Sequence, residues 1–192
     1  MKKLFLMITA VAMGFQLSAQ EVSGFAAAPT DGYRGFASLN VFSGIGDYLY
    51  DRFAITTSHG FQVDNLFMGL GASMQWVTNN EDSRYYYYYD ENTDSYTEYE
   101  DIDFVMPFFF NINYEIPMGK FAPFADLKLG YTVGDANGLY ALPTVGVRLA
   151  HFSVWCGYNL LQDRQVQYHE NIKTTNYQSI AFGVSIDWGG RK

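Results

Sequence analysis

Large apolar residues and small or polar residues alternate along much of the chain. The clearest example is the segment Gln178–Trp188, where the alternation has almost no faults. Side chains on a β-strand point alternately to its two faces, so this segment has one apolar face and one small or polar face. Its apolar positions are Ile180, Phe182, Val184, Ile186 and Trp188. The pattern predicts a β-strand whose apolar face contacts an apolar environment.

Eight segments show this alternation and predict eight strands. Each is close to the roughly 9–11 residues that a tilted strand needs to cross a bilayer. The second segment is the least regular, and Pro143 in the sixth is a defect, because proline cannot donate a hydrogen bond to the ladder. The predicted strands are Tyr33–Ser43, Phe53–Val63, Leu66–Thr78, Phe104–Ile116, Phe121–Val133, Leu139–Leu149, Phe152–Leu160 and Gln178–Trp188.

The connections between these predicted strands alternate in length. They hold about 9, 2, 25, 4, 5, 2 and 17 residues, so that every second connection is short. Outer-membrane barrels have an even number of strands, short periplasmic turns and longer external loops. A soluble sandwich has no reason to sort its connections in this way. The sequence therefore predicts an all-β, eight-stranded antiparallel up-and-down transmembrane β-barrel, with both ends of the mature chain in the periplasm.

The face opposite the large apolar residues carries charged and amide side chains. A soluble barrel has the reverse arrangement, with an apolar interior and a polar exterior. Eight strands leave an interior that side chains just fill, and buried charge is costly unless it is paired. We therefore expect a paired polar network in the lumen and no open pore. The predicted lumen residues are Arg34, Asn40, Asn111, Asn113, Glu115, Asp126, Lys128, Arg148, Asn159 and Asp187.

The first 20 residues have the composition of a secretory signal peptide. Lys2 and Lys3 supply the positive start, Leu4–Leu17 is mostly apolar, and Ser18-Ala19-Gln20 supplies small residues for cleavage. The apolar run falls short of the roughly 20 residues that a membrane helix needs. We expect cleavage near Ala19 or Gln20, which leaves residues 21–192 as the barrel domain.

The composition agrees with a secreted β-protein. The sequence has 16 Tyr, 16 Phe and 18 Gly, which suit strands and turns. The single cysteine, Cys156, excludes an intramolecular disulfide and lies far from the cleavage region, where a lipoprotein would need it. The formal charge is −8 and falls to about −10 once Lys2 and Lys3 are removed, which argues against a nucleic-acid partner.

Three segments resemble the small outer-membrane β-barrel proteins of the OmpA/OmpX type, in the version found in Bacteroides-like bacteria. They are Gly32–Phe36, Ser58–Phe61 and Pro123–Tyr131, and the resemblance covers nearly the whole mature chain. It implies a Gram-negative outer-membrane location, contact with outer-membrane lipid and variable external loops, in a family whose members mostly have no assigned activity. The terminal strand also resembles the signal that the barrel-insertion machinery reads, although Gly189–Lys192 follows Trp188.

The second long loop, Asn79–Asp103, has an unusual composition. From Glu81 to Asp101 it has eight acidic residues and only one basic residue, Arg84. One interpretation is an exposed hydrophilic loop in which alternate tyrosines extend the hairpin beyond the membrane. The other is a recognition surface for an extracellular ligand or partner, because tyrosine offers a rigid, amphipathic contact at low entropic cost. The tyrosines of the loop are Tyr85, Tyr86, Tyr87, Tyr88, Tyr89, Tyr96 and Tyr99.

The same loop has a weak likeness to a calcium-binding loop. The ligand spacing is met by Asp90, Asn92, Asp94, Tyr96, Glu98 and Asp101. However, Ser95 replaces the glycine that makes the turn, and Asp101 replaces the long bidentate glutamate. We therefore expect no metal site and no cofactor.

Catalytic motifs are weak. Of the three histidines, only His169, with Asp163 or Glu170, would lie on the outer side of the membrane. We expect a non-catalytic barrel whose surface loops serve envelope integrity, adhesion or recognition. The two alternatives are a lipid- or peptide-modifying barrel enzyme around His169, and a narrow channel for small solutes.

Overall fold

The structure is a computed structural model that describes residues 31–45, 50–78, 87–90, 95–98, 102–118, 120–166 and 172–189. The predicted signal peptide, residues 1–20, lies outside this part of the chain and stays a prediction. The strands are β1 (Gly32–Ile45), β2 (Arg52–Val63), β3 (Leu66–Val77), β4 (Tyr87–Asp90), β5 (Ser95–Glu98), β6 (Phe104–Glu115), β7 (Phe121–Gly134), β8 (Gly138–Leu149), β9 (Phe152–Val166) and β10 (Ile172–Gly189).

Eight of these strands form one closed barrel. Each pairs antiparallel with the next in the order β1-β2-β3-β6-β7-β8-β9-β10, and β10 returns to pair with β1. The closing register runs from Arg34 opposite Gly189 to Ile45 opposite Gln178. The predicted fold class, an all-β, eight-stranded, antiparallel up-and-down barrel, is confirmed. No helix in the described part of the chain has the length and apolar character needed to cross a membrane.

The two ends of the barrel have different connections. At one end, here called the turn end, the strands are joined by residues 64–65, 116–120 and 150–151. At the other, here called the loop end, they are joined by residues 46–51, 78–103, 135–137 and 167–171. The chain enters β1 and leaves β10 at the turn end. The length difference between the ends therefore rests mainly on the connection 78–103 and is weaker than the sequence predicted.

The predicted long loop after the seventh strand is mostly strand. β9 and β10 stay paired from Ile186 opposite Phe152 out to Ile172 opposite Val166. The sequence prediction ended the seventh strand at Leu160 because alternation stops there. Both faces of the outer part of this ribbon carry polar residues, with Gln162 and Thr174 on one face and Asp163 and Thr175 on the other. Period-two alternation of apolar and polar residues therefore cannot reveal it.

The loop Asn79–Asp103 also contains paired strands. β4 and β5 form a separate two-stranded antiparallel sheet, with Tyr87 opposite Glu98 and Asp90 opposite Ser95. The two interpretations of the loop, an exposed hydrophilic loop and a recognition surface, both stay predictions.

Pro143 interrupts one ladder of the barrel wall. Pro143 pairs with Leu127 on β7, but the β8–β9 register jumps from Ala141 opposite Leu160 to Thr144 opposite Gly157. The amide of Asn159 donates across this gap to the Ala141 carbonyl, at 3.3 Å. The predicted defect at Pro143 is present, and a side chain partly replaces the missing backbone hydrogen bond.

The exposure of side chains is inverted relative to a soluble protein. Large apolar side chains cover the outside, with Leu70 68% and Phe61 66% exposed. Charged and amide side chains fill the inside, where Arg34 is fully buried. Buried charged residues of this kind are Arg34, Arg52, Glu115, Asp126, Lys128, Arg148, Asp163 and Asp187.

Interior aromatic rings lie beside glycines on neighbouring strands. Trp155 is opposite Gly146 on β8 and Gly183 on β10, and Phe109 is opposite Gly71 and Gly130. A Cβ added at Gly183 would overlap the indole of Trp155. Directly opposed residues have Cβ atoms only ~5 Å apart, so a large ring needs a neighbour without a side chain.

We predict that Gly183→Ala lowers the free energy of unfolding by about 1–3 kcal/mol, the usual cost of overpacking a filled interior. Gly183 is not among the glycines with positive φ, so the cost comes from the clash with Trp155. Urea unfolding of the folded protein in detergent micelles measures it. In a Trp155→Leu background the same substitution should cost much less. Equal costs in both backgrounds would contradict the steric explanation.

Candidate functional site

A network of charged side chains crosses the lumen at the turn end. The Glu115 carboxylate receives two guanidinium groups, Arg34 Nη1 at 2.7 Å and Arg148 Nη2 at 2.6 Å. Arg34 also contacts Asp187 through Nε and Nη2, both at 3.1 Å, and donates to Gln62 Oε1 at 2.9 Å. All four charged side chains are at least nine-tenths buried.

This turn-end network links strands that are far apart in the sequence. Arg34 lies on β1, Glu115 on β6, Arg148 on β8 and Asp187 on β10, so the contacts join several sides of the barrel. Because buried charges are stable only when paired and hydrogen bonded, the network fits only a closed barrel. Its two cations and two carboxylates also balance in charge.

A second polar group occupies the middle of the lumen. Lys128 and Asp126 form an ion pair along β7, and Thr144 donates to the same carboxylate at 3.4 Å. Beside them lies a cavity of about 30 Å³, lined partly by Asn111 and Asn113. The side-chain oxygens of both asparagines lack a donor among the described residues. A cavity of this size and polarity has room for roughly one or two water molecules and no larger ligand.

A third polar group lies toward the loop end. Arg52 is buried and donates to Gln75 at 2.9 Å, Asn159 at 2.6 Å and Ser179 at 2.9 Å. Its guanidinium also lies 4.9 Å from the centroid of the Phe42 ring. In the described part of the chain, these partners are all uncharged, so hydrogen bonds and the aromatic face replace a carboxylate.

The predicted lumen residues all lie inside the barrel, but they form separate groups. Arg34, Glu115, Arg148 and Asp187 meet at the turn end, while Asp126 and Lys128 pair in the middle. Asn111 donates to Ser58 at 3.0 Å, and Asn113 lines the cavity. Among the described residues, these ten side chains do not form a single continuous network. Asn40 and Asn159 are also buried in the lumen.

Sequence reasoning missed two features of the interior. The first is Arg52, which lies one residue before the predicted second strand. Thr56 was predicted to face inward, and positions two apart share a face, so extending the alternation back from Thr56 would have placed Arg52 inside. The other is a layer of apolar side chains between the polar groups and toward the loop end. This interior layer consists of Phe42, Ala54, Phe109, Tyr140, Leu142, Trp155 and Ala181. The sequence feature that could have predicted this layer is the set of inward glycines, such as Gly71 and Gly183, because they make room for the rings.

Polar side chains also form a chain of hydrogen bonds on the outside of the barrel. Tyr33 Oη lies 2.6 Å from His59 Nδ1, and His59 Nε2 lies 2.9 Å from Thr57 Oγ1. The Thr57 hydroxyl donates in turn to the carbonyl of Phe36, at 3.1 Å. The indole of Trp188 covers Gly35 beside this chain, and its centroid is 5.8 Å from the His59 ring. Each polar atom of this chain has a partner, so His59 can lie on an apolar exterior.

The other predicted residues lie mostly outside the described residues. Tyr85, Tyr86, Tyr99, His169 and Glu170 are among the predicted residues that the structure does not describe. The predicted alternative, a catalytic site around His169, therefore stays untested. Asp163 is described and buried, and its Oδ1 accepts from the Asn137 backbone at 3.0 Å. Within the described ranges, no three His, Cys, Asp or Glu side chains are grouped to hold a metal ion. The calcium-like spacing from Asp90 to Asp101 stays untested, because it includes residues outside those ranges.

No protein-family model matches the chain, and no curated protein matches it. Among solved structures, the crystal structure of Neisserial surface protein A (NspA) is similar to this chain. The two share 12% sequence identity with a TM-score of 0.48, over 80% of this chain and 96% of that one. The eight-stranded barrel described above is assigned from the strand pairing of this chain itself.

We predict that Glu115→Gln lowers the free energy of unfolding by about 3–5 kcal/mol, the usual cost of leaving a buried partner charge uncompensated. The substitution leaves Arg34 and Arg148 with only Asp187 as a carboxylate partner within the turn-end network. Urea unfolding in detergent micelles, followed by tryptophan fluorescence, measures the loss.

Two variants control this experiment. Asp64→Asn removes the same charge from an exposed turn and should change stability by less than about 0.5 kcal/mol. Glu115→Gln combined with Arg148→Met removes one charge of each sign and should recover part of the loss. A cost for Glu115→Gln no larger than that for Asp64→Asn would show that the network does not stabilise the barrel.

Proposed function

We propose that this chain is a non-catalytic barrel of a Gram-negative outer membrane, with loop-end segments on the cell surface that serve envelope integrity, adhesion or recognition. The observation that carries the proposal is the inverted exposure of side chains. Phe61 and Leu70 are exposed on the outer wall, whereas Arg34 and Glu115 are buried in the lumen. In water this exterior would be a large apolar patch, while in lipid it is the stable arrangement.

The aromatic residues on the outer wall support a membrane location. Tyr33, Tyr114 and Trp188 lie near the turn end, and Trp76 and Tyr131 lie near the loop end. Tyrosine and tryptophan prefer the two membrane–water boundaries, where the ring is in lipid and the polar atom reaches water. In this proposal outer-membrane lipid covers the wall, the turn end faces the periplasm, and the barrel-insertion machinery recognises β10 during assembly.

The interior supports a structural role rather than transport. The apolar layer that includes Phe109, Tyr140 and Trp155 fills the lumen between the polar groups. The interior cavity has room only for water. We therefore expect no conductance step when the purified protein is added to a planar lipid bilayer. Steps above the background of empty detergent would favour the channel.

Digestion of intact cells tests location and orientation together. We expect external protease to cleave within residues 79–103 and to leave the turn 64–65 intact unless the outer membrane is permeabilised. Mass spectrometry of the released peptides maps the cuts. Cleavage at both ends in intact cells, or recovery of the mature chain in the soluble periplasmic fraction, would overturn the proposal.

We also predict that the cost of an exterior charge depends on depth. Leu70→Arg, near the middle of β3, should make folding into lipid vesicles less favourable by about 2–4 kcal/mol. Val63→Arg, beside the turn 64–65, should cost about 0–1 kcal/mol. Both side chains are exposed on the outer wall, so a water-soluble barrel would tolerate both equally. Equal costs would therefore argue against a membrane around the wall.

A further inference from the structure

The hydrogen-bond chain on the outer wall near the turn end has a defined direction. The carbonyl of Phe36 can only accept, so the hydroxyl of Thr57 donates to it. The Thr57 oxygen then accepts from His59 Nε2, which carries the single proton of the neutral imidazole. The other ring nitrogen, Nδ1, therefore accepts from the hydroxyl of Tyr33. Because this hydroxyl has used its only proton, Tyr33 Oη can only accept from any further group.

Aromatic rings lie around this acceptor on the outer wall. The Tyr33 ring stacks on the His59 ring at a centroid distance of 6.2 Å, and the Trp188 ring is T-shaped to the same imidazole at 5.8 Å. Tyr33 and Trp188 are both exposed, as is Phe61, which is opposite Tyr33 on β2. The faces of such rings attract cations, since their π-systems are negative there.

Two carboxylates lie at the rim of the barrel beside these rings. Asp31 is two residues before Tyr33, and its Oδ1 accepts from the backbone N–H of Asp64 at 2.7 Å. Both aspartates are exposed. Among the described residues, no ion pair includes either carboxylate. This part of the turn end therefore presents acceptors and negative charge, which attract a cationic donor and repel an anion.

We propose that this part of the wall binds the headgroup of a phospholipid that carries a primary ammonium, as phosphatidylethanolamine does. The group of residues, here called the ammonium site, consists of Asp31, Tyr33, His59, Asp64 and Trp188. A primary ammonium has three N–H donors, so it can donate to Tyr33 Oη and to a rim carboxylate while it contacts an aromatic face. The trimethylammonium of choline has no N–H to donate, and a glycerol headgroup has no positive charge.

The source of the ammonium is a lipid because the rings lie on the wall that contacts lipid in the proposed function. The inference rests on that function and deepens it, since it names one class of lipid at one place on the turn end. Lipid of the periplasmic leaflet would reach the site, because the turn end faces the periplasm in the same proposal.

The test uses the folded mature barrel in phosphatidylcholine vesicles, with quenching of tryptophan fluorescence by brominated lipids as the readout. Trp76→Phe serves as the background, because it leaves Trp188 on the wall and Trp155 buried in the lumen. At equal mole fractions, brominated phosphatidylethanolamine should bind beside Trp188 at least about threefold more tightly than brominated phosphatidylcholine. Brominated phosphatidylglycerol should bind no more tightly than the choline lipid.

Two tyrosine variants test the acceptor. Tyr33→Phe keeps the ring and removes the hydroxyl, so it should lower the preference for the ethanolamine lipid. The matched control is Tyr114→Phe, which removes a hydroxyl from another exposed tyrosine near the turn end, on β6. This control should leave the preference unchanged.

Two aspartate variants test the rim charge. Asp31 and Asp135 are both exposed, and each accepts a hydrogen bond from backbone N–H through one carboxylate oxygen. Asparagine keeps an oxygen for that bond and removes the charge. Asp31→Asn should lower the preference, whereas Asp135→Asn, at the loop end, should not. Asp31→Asn combined with Tyr33→Phe should lower it further than either change alone.

Several outcomes would overturn the proposal. They are equal binding of the ethanolamine and choline lipids, tighter binding of the glycerol lipid, equal effects of Tyr33→Phe and Tyr114→Phe, or equal effects of Asp31→Asn and Asp135→Asn. Circular dichroism checks that each variant is folded before quenching is measured. Because every vesicle holds an inserted barrel, failure of this test leaves the membrane location to be judged separately, by the protease digestion of intact cells.

Discussion

Closing eight strands on themselves leaves an interior that is only as wide as the side chains that fill it. Every inward residue must then fit its neighbours across the lumen in volume and in charge. Gly183 has no side chain where the indole of Trp155 lies, and Glu115 receives both Arg34 and Arg148. Among the described residues, buried cations and buried carboxylates are equal in number, with Arg34, Arg52, Lys128 and Arg148 against Glu115, Asp126, Asp163 and Asp187. The contacts of Glu115 with Arg34 and Arg148 cross the lumen and exist only in the closed barrel.

The filled interior in turn determines the exterior. Period two on each strand sends one set of residues inward, and once that set is polar the apolar set must face outward. Where the wall has a polar side chain or a glycine, neighbouring side chains bond to it or cover it. His59 is joined to Tyr33 and Thr57 by hydrogen bonds, and Trp188 covers Gly35, so neither a free polar atom nor bare backbone is left there. The cavity beside Lys128 has room only for water.

At the loop end the strands do not alternate between apolar and polar residues. Outside an apolar environment a strand gains nothing from alternation, and the outer parts of β9 and β10 are polar on both faces. The β4–β5 hairpin belongs to a sheet separate from the barrel wall. Binding residues often occur on segments that the scaffold leaves free to vary. The part of the molecule with the least structural constraint is therefore the part we assign to recognition.

The sequence by itself determined the eight barrel strands, their antiparallel order and which residues point inward, because these follow from local alternation and short turns. It also placed the ladder defect at Pro143, since a missing N–H is a property of one residue. Only the tertiary structure decided which charges meet, that Arg52 is held by neutral partners, and that Tyr89 lies opposite Tyr96. Those contacts depend on register and on the shape of the closed barrel, and alternation within one strand contains neither.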